Sequence, residues 1–246
     1  MADIAAQRII AMWSGPRNLS TAMMRSFGNR ADCSVIDEPF YAAYLAKSGM
    51  DHPMRDEIIA TGETNPEAVA AQCLQSAGAP ISYQKHMMHH MLDGFPLDWV
   101  GQVTNVFLIR DPARVLASYA TKWADVRIRD IGFKEQRALF ERLLSEIGRP
   151  PLVVDAQDIR AAPEAVLTAL CRAIEIPFDP AMLRWEPGAR AEDGIWGAHW
   201  YDAIWRSTGF APPETSPLPP LPRELTPILD AVQADYDYMR AFRLSV

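Results

Sequence analysis

Short apolar runs alternate along the chain with stretches whose apolar residues recur every three or four positions. The short runs, Ile9–Trp13, Cys33–Asp37, Ile81–Lys85, Val103–Ile109 and Pro151–Ala156, read as buried strands. The longer stretches read as amphipathic helices. One lies near Ser20–Phe27. A second starts at Asn65-Pro66-Glu67, with Asn as cap and Pro in the first turn, and is expected to run to Ala77 and stop at Gly78. Asp111-Pro112 caps a third, expected to reach about Trp123, and "FKEQRALFERLLSEIG" gives a fourth that ends at Gly148. "APEAVLTALCRAIEI" is another Pro-started helix, and "RELTPILDAVQADYDYMRAF" a terminal one. Trp185 to Pro222 carries no period; it is aromatic and Pro-rich, and "APPETSPLPPLP" reads as a surface connection to the last helix. Strands alternating with helices predict an α/β domain whose parallel sheet is covered on both faces.

Composition narrows this picture without changing it. The 246 residues suit a single domain, 1–246, with a full core. A net charge of −7 gives no global footprint for nucleic acid or sulfated polysaccharide, though a local basic site for a small anion remains open. Cys33, Cys73 and Cys171 are an odd number without metal-type spacing, as expected of reduced thiols in a cytoplasmic protein. "MADIAAQRII" lacks the charged and apolar regions of a secretory leader, and no run approaches the ~18 apolar residues of a membrane span. No nucleic-acid or membrane partner is expected.

Candidate chemistry gathers behind two of the strands. After the first stands "SGPRNLSTAMM". Against the phosphate loop G-x-x-x-x-G-K-[ST], counted from Gly15, Ser20 takes the place of the second Gly and Thr21 that of the Lys. A helix beginning near Ser20 offers free N–H groups and the positive end of its dipole; Arg17 adds a forked cation. The plain alternative is that Ser20 or Thr21 only caps the helix while Arg17 faces water. After the fourth strand comes "IRDPARVLASY", where Arg110 leaves the strand end and Ser118 lies on the next helix. Here the plain alternative is that Asp111 caps the helix and pairs with Arg110.

Taken together, "RNLST" and "RDPARVLASY" resemble the two signature motifs of the P-loop-fold sulfotransferases, which use 3′-phosphoadenosine 5′-phosphosulfate (PAPS). The match falls on Arg17, Ser20 and Thr21 in the first motif and on Arg110, Pro112, Ser118 and Tyr119 in the second. The resemblance implies a three-layer P-loop NTPase-like domain with a central, mostly parallel five-stranded sheet. It implies a cradle for the 5′-phosphosulfate at Arg17, Asn18, Leu19, Ser20 and Thr21, and a 3′-phosphate site at Arg110 and Ser118. It also explains the missing Walker lysine, since sulfuryl transfer involves no γ-phosphate and no nucleotide-bound Mg²⁺. No metal is expected. The chain departs from the family at Leu19, where relatives have Gly, and at Asn18, where they have Ser or Thr. By the same resemblance, Arg190 and Trp196 in the aromatic "DGIWGAHWYDAIW" region take part in a loop closing over the nucleotide; the alternative is core packing or a dimer contact.

A hydroxyl acceptor needs a general base beside the sulfur. Glu38 follows the second strand and matches the position of a base in some carbohydrate-sulfating relatives. His86 follows the third strand; many relatives have Lys-x-His there, whereas here Lys85 precedes His86 directly. Glu38 is therefore placed first and His86 second, with Lys85 near the sulfuryl group. A zinc site at His86, His89 and His90 lacks an H-E-x-x-H pattern and a cysteine. The reading is a PAPS-dependent sulfotransferase acting on a hydroxyl of a small molecule. The alternatives are a nucleotide-binding protein of the same fold without turnover, or a phosphotransferase.

Overall fold

The computed structural model describes residues 7–75, 78–121, 125–218 and 220–246. In chain order the elements are β1 (Arg8–Ser14), α1 (Ser20–Gly28), β2 (Cys33–Asp37), α2 (Tyr41–Ser48), α3 (Arg55–Thr61), α4 (Pro66–Cys73), β3 (Ile81–Met87), β4 (Thr104–Ile109), α5 (Pro112–Ala120), α6 (Ile128–Ile131), α7 (Phe133–Ile147), β5 (Leu152–Asp155), α8 (Ala156–Ala161), α9 (Pro163–Ala173), α10 (Gly197–Trp200), α11 (Asp202–Trp205) and α12 (Thr226–Arg240). Among the described residues the strands form one five-stranded sheet in the order β2-β3-β1-β4-β5, every pair parallel.

Strand alternation divides the core. Ala11, Trp13, Phe107 and Ile109 face one side, where they pack with Val115 and Leu116 of α5, Leu139 and Phe140 of α7, and Val232 of α12. Ile10, Met12, Tyr83, Val106 and Leu108 face the other, against Met23 and Phe27 of α1 and Leu167 and Leu170 of α9. This is the three-layer arrangement that period-2 apolar strands between amphipathic helices demand.

The helix starts behave as the sequence indicates. The Asn65 side chain accepts from Ala68 N–H at 2.9 Å, and Asp111 Oδ1 accepts from Ala113 and Arg114 N–H at 2.9 and 3.2 Å; such caps are each worth about 1 kcal/mol. The ends differ more. Helix α4 stops at Cys73, short of the expected Ala77, which lies outside the described residues, as does Trp123 beyond α5. Helix α8 was not foreseen: Asp155, the last residue of β5, caps it directly by accepting from Gln157 N–H at 2.8 Å. Strand β3 also runs two residues past Lys85, paired with β1 as far as Ser14↔Met87. Among the described residues no helix is long and apolar enough to cross a membrane.

Candidate active site

In a parallel sheet all carboxyl ends of the strands lie on one edge, where ligands of open α/β folds bind. A cavity of about 410 Å³ opens there, and every strand contributes to it. Residues 16–22 come from the turn after β1, Glu38 and Tyr41 from the end of β2, and Lys85, Met87, His89 and His90 from β3 and beyond. Arg110 and Ser118 follow β4, Arg160 follows β5, and Trp200, Tyr201 and Glu214 close the rim.

The first wall is cationic. Arg17 Nε donates to Ser118 Oγ at 2.9 Å, so the two sequence motifs touch. Arg110 Nη1 donates to the Arg17 carbonyl at 2.6 Å. Helix α1 starts without any side-chain cap, so neither Ser20 nor Thr21 is occupied as a capping group, and its first N–H groups have no intrahelical acceptor. Burial, and then the charge of Arg110, push the Arg17 pKa down. The two arginines thus repel each other, while Arg110 Nη2 pairs with Glu214 Oε1 at 2.5 Å. Gly15 serves packing: a Cβ there would stand 2.2 Å from the Ile131 carbonyl oxygen. At the family's Gly position, Leu19 adopts φ 73°, with Arg17 at 63°. These left-handed residues store local strain of roughly 1–2 kcal/mol each, and Leu19 packs its side chain against the α1 side of the core.

The second wall is a closed ionic network. Lys85 is fully buried and uses all three donors, on Asp37 Oδ1 at 2.9 Å, on Tyr201 OH at 2.8 Å and on Glu38 Oε1. Tyr201 donates to Asp37 Oδ2 at 2.7 Å, and Gly194 N–H donates to the same oxygen at 3.2 Å. Asp37 thereby ties the irregular C-terminal region to the sheet. Glu38 sits at φ 45°, because its N–H still extends the ladder to the Lys85 carbonyl at 2.9 Å while its own carbonyl already accepts from Tyr41 N–H at 3.0 Å. Burial lifts the Glu38 pKa above the ordinary carboxylate range; Lys85 pulls against this and Asp37 adds to it. Burial also opposes the Lys85 ammonium, but Asp37 and Glu38 hold its pKa above the ordinary lysine range.

Beside Glu38 lie neutral rings. His90 Nδ1 is 3.8 Å from Glu38 Oε2, and its ring stacks on Tyr41 at 4.4 Å and on Tyr44 at 4.8 Å. Tyr41 OH and His52 Nδ1 share a hydrogen bond of 2.9 Å. Burial pushes the His89 pKa down to about 3 and that of His90 well below its usual value. The Nδ1 atoms of both are buried without a hydrogen-bond partner.

Three sequence candidates stand away from the cavity. His86 is part of β3 and points opposite Lys85, because successive side chains of a strand alternate. It stacks on Trp13 at 4.4 Å, bonds Gln84 Oε1 at 3.1 Å, and burial drives its pKa down to about 3. His86 thus does not face the cavity as a base would; His89 and His90 lie against each other at 4.3 Å, but among the described residues no three His, Cys, Asp or Glu side chains are grouped to hold a metal. Arg190 donates to Asn29 Oδ1 at 3.1 Å, at the C-terminal end of α1, and pairs with Glu192. Trp196 backs the network from outside, with Nε1 donating to Tyr201 OH at 3.3 Å. Trp200, in the same aromatic stretch, lines the cavity in its place. Arg17, Asn18, Leu19, Ser20, Thr21, Glu38, Lys85, Arg110 and Ser118 are brought together.

Sequence reasoning missed Asp37, Tyr41, Tyr201, Arg160 and Glu214. The adjacent acids of "VIDEPF" were a usable signal for Asp37. Arg160 and Glu214 carry no local signature, and the Pro-rich segment read as a surface connection in fact seats Glu214 in the cavity wall.

Comparison with known proteins agrees with this architecture. A family profile described as a sulfotransferase domain matches residues 7–243. Two Arabidopsis thaliana proteins named branched-chain-amino-acid aminotransferase-like protein 1 and 2 are each 37% identical, over 87% and 85% of this chain. The chain spans only 38% and 37% of their lengths. Among solved structures, the sulfotransferase domain from the curacin biosynthetic pathway superposes with a TM-score of 0.52 at 14% identity, covering 92% of this chain and 98% of that one. A sulfotransferase from Alicyclobacillus acidocaldarius gives 0.51 at 13% identity, covering 97% and 98%. With a profile match across nearly its whole length and the P-loop-like sheet order around one cavity, the chain belongs to the sulfotransferase domain family.

Proposed function

We propose that the protein is a sulfotransferase that takes a sulfuryl group from PAPS and passes it to a hydroxyl of a small molecule. One observation carries this reading. The 2.9 Å bond from Arg17 to Ser118 fuses the loop after β1 and the helix after β4 into a single cationic wall, and Glu38 stands in the wall opposite. The residues suit such a donor. Arg17 and Arg110 lie close enough to repel each other, Arg110 Nε is buried and unpartnered, and the start of α1 presents uncapped N–H groups. On this reading Arg17 to Thr21 hold the 5′-phosphosulfate, and Arg110 and Ser118 hold the 3′-phosphate.

When bound, the donor supplies a sulfur atom joined to a good phosphate leaving group. The chain supplies the rest. Glu38 removes the acceptor's hydroxyl proton as the acceptor oxygen bonds to sulfur, and its raised proton affinity suits it to that step. Oε1 is held by Lys85, which leaves Oε2 toward His90 for the proton. Arg17 and the N–H groups of α1 stabilise the negative charge left on the phosphate oxygen as its bond to sulfur breaks. Lys85 acts as a positioning residue, since its donors are all engaged within the network. Neutral imidazoles, Tyr41 and Trp200 on the acceptor side suit an uncharged, partly apolar hydroxyl compound.

The test is label transfer from ³⁵S-PAPS to a panel of phenols, sugars and alkyl alcohols. Labelled product with the natural protein, and its loss in Glu38→Gln, is the expected result. Tight binding of adenosine 3′,5′-bisphosphate without transfer to any acceptor would mark a binding protein instead, and phosphorylation from ATP a phosphotransferase.

A further inference from the structure

Glu214 lies within a proline-rich strap and reaches into the most cationic part of the cavity. Its Oε1 is 2.5 Å from both Arg110 Nη2 and Arg160 Nη1, and its Oε2 is 3.7 Å from Arg114 Nε. Arg114 also holds the strap backbone, donating from Nη2 to the Ser216 carbonyl at 2.7 Å. Burial works to raise the Glu214 pKa, yet Arg110 and Arg160 carry it below the ordinary range.

One carboxylate does not satisfy this cluster. Three guanidiniums surround it, so three cations face a single negative charge, and Arg17 adds to the positive field at Arg110. The Nε atoms of Arg110 and Arg160 are both buried without a hydrogen-bond partner. A carboxylate is planar and singly charged. A phosphomonoester brings three oxygens and nearly two charges, which answers both the excess charge and the idle donors.

We propose that Arg160 is a phosphate ligand, and that Glu214 is a stand-in anion which the terminal phosphomonoester of the nucleotide displaces from Arg110 and Arg160. The assignment of that phosphate to a nucleotide rests on the function proposed above; the anion subsite itself does not. Sequence offers no hint of it. Arg160 arrives on α8, which exists because Asp155 caps a helix directly off β5, and Glu214 arrives from a segment more than fifty residues later. The exchange is isosteric in role: one anion leaves the arginines as another arrives, so the arginines are never left unpaired in a dry site, where an uncompensated charge is costly. The arginines would then bind nucleotide with an affinity set by competition with Glu214, and a ligand without the 3′-phosphate would leave Glu214 in place.

The test is calorimetry with adenosine 3′,5′-bisphosphate, 5′-AMP and inorganic phosphate on the natural protein, Arg160→Ala, Glu214→Gln and the double variant, each first checked by its thermal melt. Arg160→Ala is expected to weaken the bisphosphate by on the order of tenfold, the worth of a charge-assisted hydrogen bond, and to change 5′-AMP by less than about twofold. Glu214→Gln keeps the shape and removes the competing charge, so it should tighten the bisphosphate by roughly tenfold with 5′-AMP unchanged. Equal effects of Arg160→Ala on both nucleotides, or weaker bisphosphate binding in Glu214→Gln, would overturn the proposal. The phosphate arm separates the subsite from the nucleotide reading. Inorganic phosphate should bind Glu214→Gln and be lost in the double variant, whether or not any nucleotide binds. If no variant binds either nucleotide, the proposed function falls, and the subsite stands or falls on phosphate alone. Absence of phosphate binding to Glu214→Gln overturns it.

Discussion

The two walls of the cavity solve opposite electrostatic problems. At the ends of β2 and β3, Lys85, Asp37, Glu38 and Tyr201 complete one another's hydrogen bonds inside the protein. At the ends of β1, β4 and β5, cations gather faster than anions, and buried guanidinium nitrogens are left idle. A finished network holds a group in place and costs little reorganisation; one with surplus cations suits an anionic ligand. Under the function proposed above, one sheet edge divides labour, with the donor assigned to the cationic wall and deprotonation of the acceptor to the complete one.

The sharpest way to break the comparison is to strike the complete wall. Glu38→Gln should slow the chemical step by ~10²–10⁴-fold, the usual worth of a positioned base, while leaving affinity for adenosine 3′,5′-bisphosphate nearly unchanged. Single-turnover transfer beside calorimetry checks this, and a parallel fall in both would remove the division of labour. Lys85→Met leaves Asp37 and Glu38 buried together without their cation. It should cost about 3–5 kcal/mol of folding stability at neutral pH in urea unfolding, as expected when one partner of a buried pair is removed. A loss below about 1 kcal/mol would mean that the network is far better solvated than its burial implies.

Strikes on the cationic wall should look different. Arg110→Ala should weaken the bisphosphate by about tenfold or more and leave stability almost untouched, since it removes one cation from an excess. Arg17→Ala should abolish transfer, whereas Arg17→Lys, which keeps the charge but not the bond to Ser118, should retain part of it. Retained transfer in Arg17→Ala would take this residue out of the mechanism.

The smallest effect concerns His86, outside both walls. Burial holds its folded pKa near 3, below the unfolded value of about 6.5, so the unfolded state binds the proton first. Stability from its neutral burial is complete above pH ~6.5 and is lost as pH falls toward the folded value, at up to about 1.4 kcal/mol per pH unit. His86→Phe, which keeps a ring against Trp13, should therefore flatten the decline in stability between pH 6.5 and 5 without changing transfer at neutral pH. An unchanged acid slope would argue against that buried, neutral state.

The same contrast explains what could be read from sequence. Asn65-Pro66, Asp111-Pro112 and Gly148 are punctuation with a mechanism, and the helices begin or end there. The arginine and serine motifs are local, and the parallel sheet had to bring them to one edge. His86 was misplaced because "YQKHMM" contains no breaker; the strand continues through it, and a single step along a strand reverses the face. Arg160 and Glu214 were illegible for another reason. Each is an ordinary charged residue whose meaning comes from meeting the other across the fold, and no periodicity reports such a meeting. The aromatic region was legible only as a choice between a loop over the nucleotide and core packing; that Trp200 and Tyr201 rather than Trp196 line the cavity goes with the bond from Tyr201 to Asp37, which no local pattern reports.

The measurement that bears most directly on the central claim is the affinity of the natural protein for adenosine 3′,5′-bisphosphate relative to 5′-AMP, taken by calorimetry at neutral pH and low salt. A 3′-phosphate held by Arg110 and its neighbours should favour the bisphosphate by on the order of tenfold or more, and added salt should narrow the gap. Equal affinity for the two nucleotides would contradict the account, because the cationic wall would then not be reading the phosphate that distinguishes them.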